Sequence, residues 1–387
     1  MPLIKHMSLP TARMAVFYLA SECADLAVVD FSTDGHGLYN YGHLLRLNPI
    51  VPKESDERIF STHITEVDIA LGDTSHLENA VREICDKEKY QNILLLPSSL
   101  ACVLCWDLQG MAKDLSEKYG VNIFTVSGGF EDDFFQGQEA FYLAAVQLAE
   151  KTTVCEKTYN LLGGISVQDK GAHRALQAKL APLGLQCNFD SANAGTFSAW
   201  QNVAAAELNI VASRSTLAAA DMLKQNFGIP YLLAPGIGKI AEDDFMHDIA
   251  VHFGGEFTST SNAEYNFALL QTKNILEFQR TKIIVYADSD RIESMKPFFG
   301  ELNVSVEMIC SHTDMGYIHL SPDAFIEKYR DVESVILSYD SICREFPRSI
   351  VIAYSGLDYH LITPLYKPNF GIDGAYGLME KLCSLYF

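Results

Sequence analysis

The chain has 387 residues, of which 48% are hydrophobic and 20% charged, with a formal net charge of -20. That length calls for more than one core, and the composition is that of a folded globular protein, not a disordered one. The acidity argues against nucleic acid, whose phosphates need clustered Lys and Arg, and against an anionic membrane surface; no apolar run approaches the roughly 20 residues of a membrane span.

From the N-terminus, the short apolar stretch Met14–Ala20 follows Lys5 and Arg13. Tyr18 interrupts it and Ser21-Glu22-Cys23 makes a poor cleavage site, so about Pro10 to Glu22 reads as a first amphipathic helix and not an export signal. Strand patterns follow at Asp25–Phe31, Val67–Leu71, Asn92–Leu96 and Val121–Val126. A second block gives Thr158–Leu162, Gln186–Phe189, Leu208–Ala212 and Ile229–Leu233; a third gives Lys282–Ala287, Val304–Ile309, Ser334–Leu337 and Ser349–Ala353. Helical patterns lie between them, the longest from about Asn262 to Phe278. Runs such as Ile93–Leu96 and Ile283–Val285 lack polar alternation, as strands buried on both faces do. The expected fold is α/β: three Rossmann-like domains, each a mostly parallel four-stranded sheet flanked by helices. Polar segments before new strands place the boundaries at 1–152, 153–280 and 281–387. Nine cysteines, several within apolar segments, read as small core residues of a cytoplasmic protein.

No G-x-x-x-x-G-K-[ST] is present, so no direct ATP site is expected. Gly236-Ile237-Gly238-Lys239-Ile240-Ala241 fits G-x-G-x-x-A, but Pro235 precedes it and no acidic residue closes a second strand at the right distance. It reads as a tight turn at the mouth of the second domain, without an NAD site. Asp34-Gly35-His36-Gly37 follows the first strand, at the edge where open α/β sheets place ligands. Cys102-Val103-Leu104-Cys105 follows the Asn92–Leu96 strand. Cluster ligation, a redox pair and two buried thiols all suit that spacing, and its apolar neighbours favour burial. Glu131-Asp132-Asp133 beside Phe134-Phe135 reads as a solvated edge or a docking contact. Ser311-His312-Thr313-Asp314 holds triad residue types, but adjacent residues do not face one another as a triad requires.

Several segments together resemble a known family. Ser61-Thr62, Glu66, Asp68-Ile69-Ala70-Leu71-Gly72 and Ala80-Val81 resemble its first-domain stretch. Pro97-Ser98-Ser99 through Cys105-Trp106-Asp107-Leu108, and Ser127-Gly128-Gly129-Phe130, resemble the segments after its next two strands. Tyr159-Asn160-Leu161-Leu162-Gly163, Ala206–Val211 and Phe227-Gly228-Ile229-Pro230-Tyr231 are similar to its second-domain motifs, and Gly371, Gly374-Ala375 and Leu378 to its terminal one. In this order they resemble nitrogenase component 1 and its relatives, the cofactor-assembly scaffolds and the tetrapyrrole reductases.

The resemblance implies a homodimer or a heteromer with a related subunit. It implies electrons delivered by an ATP-hydrolysing iron–sulfur reductase, in anaerobic reductive metabolism. The family's cysteine positions are substituted: they fall on His36, on Ser99, near Pro10 and, for the cofactor ligand, on Ser213. Either His36, Cys102 and Cys105 form a rearranged iron–sulfur site, or the cluster is lost; loss explains the substitutions together. The expected function is a subunit of a nitrogenase-like oxidoreductase that reduces a small molecule or tetrapyrrole-type substrate. The alternative is a non-catalytic scaffold holding a metallocofactor or tetrapyrrole. Strand-end positions nominate Ser213, Arg214, Gly236, Gly238 and Tyr354-Ser355 as the lining of an interdomain binding cleft.

Overall fold

The structure, a computed structural model, describes residues 11–33, 58–87, 90–98, 105–126, 133–165, 167–312, 316–352 and 370–386. It contains three parallel sheets with helices packed around them. The first comprises β1 (Leu26–Phe31), β2 (Ile59–Ser61), β3 (Asn92–Pro97) and β4 (Asn122–Thr125), in the order β2-β1-β3-β4. The second comprises β5 (Thr158–Leu162), β6 (Gln186–Asp190), β7 (Leu208–Val211) and β8 (Tyr231–Leu233), in the order β6-β5-β7-β8. The third has five strands: β9 (Ile283–Ala287), β10 (Val306–Cys310), β11 (Ile318–His319), β12 (Val335–Ser338) and β13 (Ser349–Val351), ordered β11-β10-β9-β12-β13. The central strands β1, β5, β9 and β12 are buried along their whole length, as strands with helices on both faces must be.

Two expectations need correction. Val67–Leu71 belongs to a helix, Glu66–Leu71, and the strand beside β1 comes earlier, at Ile59–Ser61. The Thr65 side chain and Asp68 form a capping box, and Gly72 closes the helix with φ 66; these local signals outweigh the β-branched content of so short a segment. The third sheet gains an edge strand, Ile318–His319, too short to stand out by pattern.

The Ala12–Ser21 helix packs with the Phe134–Val146 helix into one apolar core with side chains of the second sheet's segment. Phe124 stacks on Phe197 at 4.9 Å, and Phe141 meets Phe197 at 5.7 Å. The Asp25 carboxylate accepts from the Phe197 and Ser198 backbone N–H groups at 2.5 and 2.9 Å. The first two sheets are therefore joined through a continuous core. The third meets the second through the Lys239–His252 helix, which packs on the Ser289–Leu302 and Gly371–Cys383 helices. Among the described residues no helix is long and apolar enough to cross a membrane.

Candidate functional site

In the second sheet the chain leaves β5 to one side, for β6, and returns on the other side as β7. A crevice must open where connections diverge in this way, outside the carboxyl ends of the strands. Gly163 and Gly164 occupy the end of β5 with φ 103 and 79, and a Cβ on Gly163 would lie 2.7 Å from the Ser213 nitrogen. Only glycine lets the β5 and β7 ends approach this closely. A cavity of about 300 Å³ opens there, at the small end of ligand pockets.

The opposite wall comes from the third sheet. β9 runs into Asp288, whose side chain accepts from the Arg291 N–H and caps the Ser289–Leu302 helix. The first turns of that helix bring Asp290, Arg291 and Glu293 to the cavity. Asp290 accepts from the Ser213 hydroxyl at 2.6 Å and from the Arg214 backbone N–H at 3.0 Å. Burial, and then the neighbouring Asp288 charge, push its carboxyl up to about 6, so it changes charge near neutrality. Arg291 lies 3.5 Å from Asp169 across the cavity, and Arg214 lies 3.5 Å from Glu293 at its more open side.

A third group sits deeper. His173, on the Val167–Leu180 helix, is 3% exposed and lines the cavity. Its Nδ1 lies 2.7 Å from Asp190 at the end of β6. Asp190 also accepts from Gln177 at 2.8 Å, Asn193 at 2.8 Å and the Ala192 N–H at 3.1 Å. Burial pushes the Asp190 carboxyl up, but the His173 contact and the Asn193 and Ala192 donors outweigh it and hold the carboxyl below its ordinary value.

Of the residues nominated from sequence, Ser213, Arg214 and Gly236 line this one cavity. Gly238 does not: its N–H donates to Gly371 at 2.9 Å, and its φ of 124 and the nearby Glu301 carboxylate fix a turn behind the wall. Ser355, His36 and Cys102 lie outside the described residues. Cys105 is exposed in a turn with φ 53. The helix begins only at Leu108, where Asp107 caps it, so Cys105 is not on a buried helical face. Asp133 caps the Phe134–Val146 helix, Phe134 is fully buried and Phe135 stacks on His312 at 4.5 Å. Those aromatics form core and not a docking edge. Asp169, His173, Asp190, Asp290 and Arg291 were not nominated. Asp290 and Arg291 do follow a strand directly, a signal that was available; nothing in the spacing of His173 and Asp190 marks them as partners.

The cavity thus offers imidazole, guanidinium, hydroxyl and carboxylate groups over an apolar floor that includes Leu176 and Val211. Thiolates, which hold iron–sulfur clusters, are not among its described lining residues. Nor is there a group of three or more His, Cys, Asp or Glu side chains placed to hold a metal ion among the described residues. These side chains do not fit a protein-ligated cluster; they fit a small polar molecule held by hydrogen bonds and charge.

A family model described as Nitrogenase component 1 type Oxidoreductase matches residues 27–341. The chain is 28% identical over 201 residues to the nitrogenase iron-molybdenum cofactor biosynthesis protein NifE of Clostridium pasteurianum, covering 51% of this chain and 44% of that protein. It is 24% identical over 218 residues to the protein of the same name from Methanosarcina barkeri, covering 52% and 47%. It spans about half the length of these curated relatives. Among solved structures, "Nitrogenase Cp1 at pH 6.5" superposes with a TM-score of 0.76 at 15% identity, covering 100% of this chain and 93% of that one. "Nitrogenase Cp1 at pH 5" gives 0.69 at 14%, covering 100% and 90%. At such identity the likeness is one of fold.

Proposed function

The chain belongs to the nitrogenase component 1 type oxidoreductases, and from that premise we propose that it is a subunit of a nitrogenase-like assembly that holds a small molecule between its second and third sheets. The observation that carries this reading is the cavity at the β5/β7 divergence, where Ser213, Arg214 and His173 meet Asp290 and Arg291 from the third sheet. Its volume of about 300 Å³ favours a small molecule over a tetrapyrrole. In that assembly an ATP-hydrolysing iron–sulfur reductase would supply the electrons, and a related partner subunit, not this cavity, would hold the cluster. The cavity's own residues then bind, orient and exclude water; Asp290, oriented by the Ser213 hydroxyl and ionising near neutrality, gives a proton to the ligand or takes one from it.

A second reading has the subunit hold its ligand without reducing it. The Ser213 hydroxyl favours it, being already engaged by Asp290 and Ser215 at 2.6 and 2.8 Å where the family's cofactor thiolate would fall. The curated relatives are named for cofactor biosynthesis, which accords with such a role.

The test is anaerobic purification, with iron and acid-labile sulfide measured and released small molecules identified by mass spectrometry, for the wild-type chain and Ala212→Trp. Ala212 is an exposed residue on the cavity wall, so the indole closes the cavity without entering the core. A small molecule released from the wild type and absent from the variant supports the reading. About four iron per chain, the cubane expectation, or equal release from both proteins, overturns it.

A further inference from the structure

The feature that the fold alone leaves unexplained is the far side of His173. Its Nε2 is buried and has no hydrogen-bond partner among the described residues. It faces Gly164 on the cavity wall, where a Cβ would lie 3.1 Å from that nitrogen and 2.9 Å from the Asp169 Cβ. A buried polar atom left unpaired is destabilising, so a ring kept here with one nitrogen tied and the other bare points to an external partner. The tied nitrogen sets the chemistry. Asp190 is acceptor-only when ionised and takes four donors, so Nδ1 carries a hydrogen. Protonation of the ring then adds its one new N–H at Nε2, toward the cavity. Arg291 stands on the wall opposite, 3.5 Å from Asp169, and Arg214 rims the same space.

We propose that His173, oriented by Asp190, is the anchor for a carboxylate-bearing small molecule whose oxygen accepts a hydrogen bond from Nε2–H while the guanidinium of Arg291 faces its charge. The inference rests on the proposed ligand-holding role of this cavity and names the ligand's chemical class and its recognition residue. Nε2 is buried against Gly164, so a ligand oxygen reaches it as that glycine backbone shifts, and the absence of a Cβ there keeps the shift small.

Succinate serves as the probe, titrated into the full chain. Binding is followed by calorimetry and by the nitrogen resonances of the histidine rings. His173→Asn is the decisive variant: its amide replaces the Nδ1–H donor to Asp190 and removes Nε2. In the wild type, succinate is expected to move the His173 Nε2 resonance into the protonated range; affinity is expected to fall at least tenfold in His173→Asn and to vanish in Ala212→Trp. Loss in Ala212→Trp with full affinity and unchanged salt dependence in His173→Asn overturns the anchor and leaves the cavity reading standing. Full affinity in both variants removes both readings. A wild type that binds no succinate at millimolar concentration, with a His173 resonance that stays fixed, overturns the proposed ligand class.

Discussion

Asp290 sets a pH dependence that can be worked out before any ligand is known. Its folded-state carboxyl is raised to about 6, by burial first and by Asp288 second, so the folded protein holds that proton more tightly than the unfolded chain. The stabilisation is complete below the unfolded value near 4 and is lost as pH rises through about 6. Between pH 5.5 and 7 the chain should lose on the order of 1 kcal/mol from this group, and Asp290→Asn should flatten that segment of the urea-midpoint profile. An unchanged slope in the variant would show that the pH dependence comes from elsewhere. A second residue-scale prediction concerns Arg13, whose guanidinium pairs with the fully buried Asp30 and donates to the Pro97 carbonyl at 2.9 Å. Arg13→Met leaves the carboxylate uncompensated and should cost about 3–5 kcal/mol in urea unfolding; a loss below 1 kcal/mol would show that the pair is solvated. The cavity was partly legible at this scale. Ser213, Arg214 and Gly236 were within reach because a residue just after a parallel strand lies at a known edge. His173 was not, since its meaning comes from Asp190, 17 residues away on another element, and no local pattern announces such a pair.

Glycines of the same backbone type have different consequences according to the element they close. Gly371 (φ 58) donates to the Gly236 carbonyl at 2.8 Å and accepts from the Gly238 N–H at 2.9 Å, tying the Gly371–Cys383 helix to the cavity wall. A Cβ there would fall 2.0 Å from the Glu242 carboxylate, which also receives the Ile372 N–H and Lys179. Gly72 (φ 66) closes the Glu66–Leu71 helix, a Cβ added to it would meet nothing within 4 Å, and it serves a helix with no buried residue. Gly72→Ala should therefore cost only the left-handed penalty of about 1 kcal/mol, visible as faster amide exchange at 68–73 with an unchanged global midpoint. Gly371→Ala should add displacement of Glu242 to that penalty and lower the global midpoint; equal effects from the two would refute the distinction. The same contrast explains what was readable in advance. Strand runs such as Ile93–Leu96 and Ile283–Ala287 are recognisable because burial on both faces leaves no polar alternation. Glu66–Leu71 misleads because its six residues are shaped by their caps and not by a core.

Across the whole molecule the sheets differ in how they are joined. A continuous apolar core crosses from the first to the second, through Phe124, Phe141, Phe197 and Trp200. Around the cavity, the second and third meet through Asp290 on Ser213 and Arg291 on Asp169, contacts of oxygen and nitrogen that shift more readily than packed rings. The third sheet's order also reverses, between β9 and β12, so β9 delivers Asp290 and Arg291 directly to the carboxyl edge of β7. A molecule bound there touches both bodies and acts as a cross-link between them. Ligand binding should slow amide exchange together at 213–217 and at 289–294, and leave β1 and β3 of the first sheet unchanged. The coupling is tested by repeating the exchange with Asp290→Asn. If the Ser213–Asp290 bond carries the seam, the variant without ligand should exchange faster in both segments, and ligand should restore them together. Protection confined to 213–217, with 289–294 indifferent to ligand, would mean that the ligand belongs to the second sheet alone and that the third is a wall and not a partner.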